Sequence, residues 1–257
     1  HGELAGTLAG ASKIRSKMRM AYSDRRTRIL TGLTYAALAL FVVAMLMDFF
    51  YVGPERQQGE AQRIFYVHLG SFLGSFLAFG TAVVAGIAYL RSRDHKWDTL
   101  GLSAVEIGLG FATITIVTGM AWARPIWNTW WTWDPRLTSV AIMWLAYAAY
   151  MMLRTGIEDP ERRRRFAAVY GIIAFASLLY TVIIIRLRPD TIHPVVAGPT
   201  QADPEGSFEV SGRIRDTLFF NLFTFAVITV VLVWHRVRLQ NLLDRTERRK
   251  MEVLAEL

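Results

Sequence analysis

The chain has 257 residues and no cysteine, of which 53% are hydrophobic and 19% charged, with a formal net charge of +8. A soluble domain usually carries about 25% charged residues, so this composition argues against a chain of one or two soluble domains. The absence of cysteine excludes a disulfide framework, a cysteine-based zinc site and a thiol nucleophile in this chain.

Residues 1–20 lack the apolar core of a secretory signal, and we predict that they form a disordered tag or extension outside the fold. Residues 21–238 are predicted to form a single transmembrane domain, with a tryptophan-rich loop over residues 122–136. Residues 239–257 then form a charged tail on the cytoplasmic side, whose apolar residues have helical spacing.

Six apolar stretches are each long enough to cross a bilayer core of roughly 30 Å as a helix. The predicted fold class is therefore all-α, a polytopic membrane protein with six transmembrane helices. Glycines are frequent in the second and third stretches, where small residues allow helices to approach closely in lipid. The six predicted spans are Ile29–Val52, Ile64–Leu90, Thr99–Trp122, Leu137–Leu153, Phe166–Leu187 and Thr217–Trp234.

Lysine and arginine are distributed unequally between the two sides that these spans define. The two tails and the loops after spans two and four hold 21 of these residues, and the other three loops hold 8. Because basic loops remain in the cytoplasm, this bias places both termini there and the loops after spans one, three and five outside. The positive charge therefore indicates the topology of the chain in the membrane, and the lipid bilayer is an expected partner. Nucleic acid is not expected as a partner, because the basic residues are dispersed over short loops.

The segment between spans three and four contains five tryptophans within twelve residues: Trp122, Trp127, Trp130, Trp131 and Trp133. An aromatic belt at the membrane interface is one interpretation, but it accounts poorly for so many in one loop. As a short interfacial helix, the segment would place Trp127, Trp130, Trp131 and Asp134 on one face. Such a platform suits a large planar apolar ligand, and Arg124 and Arg136 flank it to pair with ligand carboxylates.

Two histidines fall on the same predicted side as this segment. His68 lies about one turn from the outer end of span two, and His193 follows span five. A hydrogen-bonded structural histidine is the simpler interpretation of each alone, but the pair beside a tryptophan platform favours axial ligation of haem iron. Arg63, Arg124, Arg136 and Arg188 are candidates to meet the haem propionates.

Two carboxylates fall within or near the spans, and such residues are functional candidates by default. Asp48 lies near the outer end of span one, and Glu106, deeper in span three, could serve helix packing or a polar path. The sequence has no HExxH, GxSxG or P-loop motif, so the chain is not expected to hydrolyse ATP by itself.

These motifs together resemble a known family. Residues 122–138, WARPIWNTWWTWDPRLT, strongly resemble the tryptophan-rich WWD signature of the haem-handling proteins of cytochrome c maturation. The segment from Arg63 to His68 resembles the first histidine motif of that family, and the segment around His193 the second. With six spans in about 240 residues, the chain is most similar to the CcmC (haem exporter protein C) family of the system I pathway.

The resemblance implies a non-enzymatic haem-transfer protein of the inner membrane. Such a protein binds haem b transiently and non-covalently at its extracytoplasmic face, with His68 and His193 as axial iron ligands. The five tryptophans, Asp134, Arg63, Arg124 and Arg136 would surround the haem. It would deliver the haem to the chaperone CcmE, beside the ABC transporter CcmA/CcmB, whose ATPase is a separate chain, and the small membrane subunit CcmD.

Two other functions remain open from the residues alone. A haem–protein lyase-like or quinone-linked redox membrane enzyme would use His68 and His193 for proton transfer or redox chemistry. A transporter of small solutes or ions would use Glu106 as an intramembrane gate, although it leaves the tryptophan cluster unexplained.

Overall fold

The computed structural model describes residues 25–55, 58–188, 191–193 and 212–256. Six helices within these residues are long and apolar enough to cross a membrane, which confirms the predicted all-α polytopic fold. They are α1 (Arg25–Tyr51), α2 (Ile64–Ser92), α3 (His95–Trp127), α4 (Pro135–Gly156), α5 (Pro160–Leu187) and α6 (Gly212–Ala255). The predicted extension over residues 1–20 lies outside the described residues.

Aspartates begin three of the helices, because a carboxylate satisfies backbone N–H groups that have no partner within the first turn. Asp94 caps α3, Asp134 caps α4 and Asp159 caps α5, and a proline follows the cap in the last two. Lys96 hydrogen-bonds to Asp94 through its side chain and its backbone N–H, which lowers the pKa of this exposed carboxyl below its ordinary value.

Helix α2 lies at the centre of the bundle and packs against α3, α5 and α6, while α4 packs mainly against α5. The main core holds Phe79 of α2 stacked on Tyr147 of α4, with ring centroids 3.5 Å apart. Glycines leave space for such rings: a Cβ on Gly108 of α3 would lie 2.5 Å from the Phe79 ring. Small residues therefore allow close packing here, as the sequence predicted.

Polar pairs connect the helices at several levels. Arg154 of α4 donates two hydrogen bonds to Asp98 of α3, at 2.6 and 3.0 Å, at the end of the bundle away from the tryptophan segment. Arg236 of α6 forms an ion pair with Glu106. The Glu106 carboxylate therefore joins α3 to α6, which corresponds to the packing interpretation of this residue.

Several helices extend beyond the predicted spans. Helix α6 is continuous for 44 residues. At 1.5 Å per residue it is about 66 Å long, twice the thickness of a bilayer core, so its C-terminal half projects from the bundle. The predicted span ended at Trp234 because polar residues follow it, but they continue the same helix in a solvated environment.

Candidate functional site

A cleft opens at the end of the bundle that carries the tryptophan segment, which we call the tryptophan end. This central cleft lies between α2, α3 and α4 and has a volume of about 900 Å³, including the part open to solvent. Most of its walls are apolar or aromatic. Its lining comprises Gln58, Phe65, His68, Leu69, Phe72, Thr115, Ile116, Gly119, Met120, Trp122, Trp127, Trp131, Arg136, Leu137, Val140 and His193.

The two histidines that the sequence singled out lie beside each other in the central cleft. Their ring centroids are 6.3 Å apart and their planes are inclined by 32°. An imidazole nitrogen lies about 2 Å from a bound metal, so two imidazoles on opposite sides of one metal ion have centroids roughly 6 Å apart. The distance between the His68 and His193 ring centroids therefore fits axial ligation of one iron from opposite sides.

Helix α3 fixes the orientation of the His68 imidazole. Thr118 already donates its hydroxyl hydrogen to the carbonyl of Ile114, at 2.7 Å. Its oxygen therefore accepts from Nδ1–H of His68, at 3.2 Å, and Nε2 keeps its lone pair for a ligand. Gly119 provides the space, because a Cβ at this position would lie 3.1 Å from Cε1 of His68.

Three of the five predicted tryptophans line the cleft, and two do not. Trp122 donates from Nε1 to Oε1 of Gln58 at 3.0 Å, and its ring meets that of Trp127 edge-on with centroids 5.0 Å apart. Trp131 forms part of another wall. Trp130 and Trp133 are 56% and 76% exposed and lie outside the lining, so they face away from the cleft.

This segment does not form a short interfacial helix, the arrangement that would have placed four of its residues on one face. Helix α3 instead continues to Trp127, with Pro125 in its last turn, and ends at Asn128 in the left-handed region with φ of 55°. Asn128 tolerates this conformation, and its carbonyl accepts from Arg124 at 2.7 Å. The chain then runs without helix to Asp134, so the four residues assigned to one helical face do not share one.

Of the four arginines named as candidate partners of the propionates, Arg136 is in the lining of the central cleft, and Arg63, Arg124 and Arg188 are not. Arg63 forms an ion pair with Glu60 at 2.6 Å, and Arg124 is held by Asn128 at the end of α3. Arg136 lines the cleft from the first turn of α4 and is partly buried. Within the described part of the chain its guanidinium has no hydrogen bond or ion pair. The nearby Asp134 carboxylate is hydrogen-bonded to other residues, so the Arg136 guanidinium keeps its donors for an anionic ligand group.

Asp134 lies outside the cleft lining and holds the segment that carries His193. Its Oδ1 accepts from the backbone N–H of Leu137 at 2.8 Å and so caps α4. Its Oδ2 accepts from the Thr191 hydroxyl at 2.7 Å and from the Ile192 N–H at 3.1 Å. The carboxylate that the sequence assigned to ligand contact therefore joins the start of α4 to the residues just before His193.

Several lining residues were not predicted from the sequence. Phe65, Phe72 and Met120 could not be told from ordinary lipid-facing or core residues of a span. Thr118, which lies outside the lining and orients His68, carried a weak signal, because a hydroxyl one turn from the tryptophan segment can orient a histidine. Gln58 carried no signal in the sequence, because only the fold brings it next to Trp122.

The donor set favours a metal that arrives with its own ligands. Among the described residues no group of three or more histidine, cysteine, aspartate or glutamate side chains could hold a metal ion. A structural zinc site needs four protein ligands and a catalytic one usually three. Two imidazoles across a cleft with aromatic walls suit iron whose other four ligands come from a planar macrocycle.

The chain is similar to known proteins over most of its length. A family model described as heme exporter protein C matches residues 15–253. Proteins named heme exporter protein C include one from Bradyrhizobium diazoefficiens, 32% identical over 59% of this chain, and one from Escherichia coli, 27% identical over 85% of it. The match covers 57% of the Bradyrhizobium protein and 85% of the Escherichia coli protein. A heme exporter protein C from Rhodobacter capsulatus is 29% identical over 61% of this chain, and that match spans 63% of its length.

Proposed function

The chain belongs to the heme exporter protein C family, and from that premise we propose that it binds haem in the central cleft and passes it on during cytochrome c maturation. The observation that carries this proposal is the pair of imidazoles, His68 and His193, with ring centroids 6.3 Å apart. They lie in a cleft of a multi-pass membrane protein whose other walls are largely apolar.

The proposed ligand is haem b, held without a covalent bond. His68 and His193 are the axial ligands of its iron, and Nε2 of His68 is available because Thr118 holds Nδ1. The chain has no cysteine, so it offers no thiolate ligand and no thioether attachment. Binding that depends on two neutral imidazoles and on packing is reversible, as a carrier requires.

Arg136 and the three lining tryptophans complete the proposed haem site. Arg136 lines the cleft, its guanidinium has no hydrogen bond or ion pair among the described residues, and it is the proposed partner of a haem propionate. Trp122, Trp127 and Trp131 provide aromatic surfaces for the macrocycle. Trp130, Trp133, Arg63 and Arg124 are not part of this site as the fold arranges it, and Asp134 acts through the His193 segment.

Transfer requires partners that lie outside this chain. We propose that the site faces the extracytoplasmic side of the inner membrane, which the distribution of lysine and arginine supports. The recipient is the chaperone CcmE, and the ATPase of the transporter CcmA/CcmB, working with CcmD, supplies the energy. The chain itself acts as the haem-presenting subunit and not as an enzyme.

The test is the visible absorption spectrum of the purified protein after titration with haem. We expect a low-spin bis-imidazole spectrum for the wild type, which His68→Ala or His193→Ala shifts or abolishes. His95→Ala is the matched control, because His95 lies at the opposite end of the bundle and pairs with Asp244. Spectra of both cleft variants identical to the wild type would refute the axial-ligand proposal.

A further inference from the structure

A second cleft lies on the flank of the bundle, between α3 and α4. Its lining is entirely apolar or aromatic, and its volume is about 700 Å³, including open space. We call it the lateral cleft, and it is lined by Ile116, Trp131, Trp133, Ala141, Trp144 and Leu145. Leu145 and Trp133 at its mouth are 59% and 76% exposed, and this surface of a membrane-spanning bundle faces lipid.

The lateral cleft is adjacent to the central cleft and shares a wall with it. Ile116 of α3 and Trp131 line both clefts. Ala141 lies six residues into α4, about 9 Å below its start, so the lateral cleft opens at the depth of the outer part of the hydrocarbon core. The two side chains therefore separate the proposed haem site from the acyl chains of one leaflet.

The seam between α3 and α4 is the loosely packed part of the bundle. Helix α3 packs mainly against α2, and α4 packs mainly against α5. Two polar contacts cross this seam in the described residues: Arg154 binds Asp98 at the opposite end of the bundle, and Trp144, in the wall of the lateral cleft, donates from Nε1 to Oγ1 of Thr113 at 2.9 Å. Between the Trp144 bond and the start of α4, the described residues form no hydrogen bond between the two helices, so the apolar side chains there can separate without breaking one.

The Trp131 indole is held less firmly than its backbone. The carbonyl of Trp131 accepts from the Thr129 hydroxyl at 3.1 Å, whereas the buried Nε1–H has no hydrogen-bond partner. A buried donor without a partner raises the free energy of this conformation. Rotation of the ring breaks no hydrogen bond, because Nε1–H makes none. Trp131 is thus the side chain of the shared wall that can rotate without losing a hydrogen bond.

We propose that the lateral cleft is the passage through which the haem macrocycle reaches the central cleft from the membrane, with Trp131 as the side chain that moves aside. The proposal rests on the proposed haem-binding function and adds the route. A planar macrocycle partitions into lipid and can slide edge-first between two helices. Arg136 lies on the inner side of the wall, where it can receive the propionates.

The test measures the rate of haem loading by the whole chain in proteoliposomes, using stopped-flow detection of the bis-imidazole absorption. Ala141→Trp fills the lateral cleft from a position that does not itself line the central cleft. We expect loading to slow by roughly tenfold or more, because an indole overpacks a passage lined by large side chains. The final spectrum and occupancy should equal those of the wild type.

Ile142→Trp is the matched control, since Ile142 is the next residue, is 52% exposed and lies outside both clefts. It should load at the wild-type rate. If Ala141→Trp does not accumulate as a folded protein, Leu145→Trp narrows the same cleft one turn further along α4. If the folded variant loads haem at the wild-type rate, the proposed route is wrong, whether or not its final occupancy is lower. A wild type that never gains the bis-imidazole spectrum instead refutes the proposed function.

Discussion

Asp134 connects two parts of the site, because each oxygen of its carboxylate accepts from a different segment. Oδ1 caps α4, which carries Arg136, and Oδ2 holds Thr191 and Ile192 next to His193. One side chain thus sets the position of a proposed propionate partner and of a proposed axial ligand. A hydrogen bond to a charged acceptor contributes about 1.5–3 kcal/mol, enough to position a short loop.

We predict that Asp134→Asn weakens haem binding by roughly tenfold or more, from the loss of charged hydrogen bonds to Thr191 and Ile192. Asparagine still caps a helix, so the melting temperature should change little. Asp159→Asn is the control, because Asp159 caps α5 through the same bond, to the Arg162 N–H at 2.7 Å. Haem titration followed by absorption compares the two, and equal affinities would show that Asp134 only caps.

At the scale of helices, packing depends on which glycine faces a ring. Gly108 and Gly110 are two residues apart on α3, yet a Cβ at 108 meets the Phe79 ring and one at 110 meets nothing within 4 Å. Phe79 cannot move away, since it is fully buried and stacked on Tyr147. The core between α2, α3 and α4 therefore has no space for a methyl group at position 108.

Gly108→Ala is expected to destabilise the folded protein by about 1–3 kcal/mol, the usual cost of overpacking a filled core. Gly110→Ala, in the same helix, should leave stability unchanged or raise it slightly, since alanine is the better helix former. Thermal unfolding of the two variants in the same detergent measures the difference. Equal melting temperatures would mean that α2 and α3 shift apart freely.

At the scale of the whole molecule, function depends on which side of the membrane the tryptophan end faces. The fold places the turn before α2, the segment after α3 and the start of α6 at this end, and the basic turns at the other. The charge distribution supports an extracytoplasmic position for the tryptophan end. The central cleft would then present haem to a recipient outside the cytoplasm.

Single cysteines in this cysteine-free chain test that orientation. Glu60→Cys lies at the tryptophan end, and Thr155→Cys lies in the last turn of α4 at the opposite end, both at exposed positions. In right-side-out membrane vesicles, an impermeant maleimide should label Glu60→Cys directly and Thr155→Cys only after the membrane is opened. The reverse pattern would place the central cleft on the cytoplasmic face.

The sequence by itself determined the six spans, the unequal charge of the loops and the end at which His68, His193 and the tryptophans meet. These are local properties, because hydropathy and helix length are read from neighbouring residues and six antiparallel spans leave few arrangements of the loops.

Only the tertiary structure decided which of these residues share a cleft. Spacing could not show that α3 continues through Pro125 to Asn128, and this continuation turns Trp130 and Trp133 outward while Trp122 and Trp127 face the histidines. Likewise, Arg63 and Arg124 have partners three and four residues away in the chain, whereas only the tertiary structure shows that Arg136 lines the cleft. The physical reason is that a side chain's partners depend on the rotation and termination of helices distant in the chain, which local patterns do not encode.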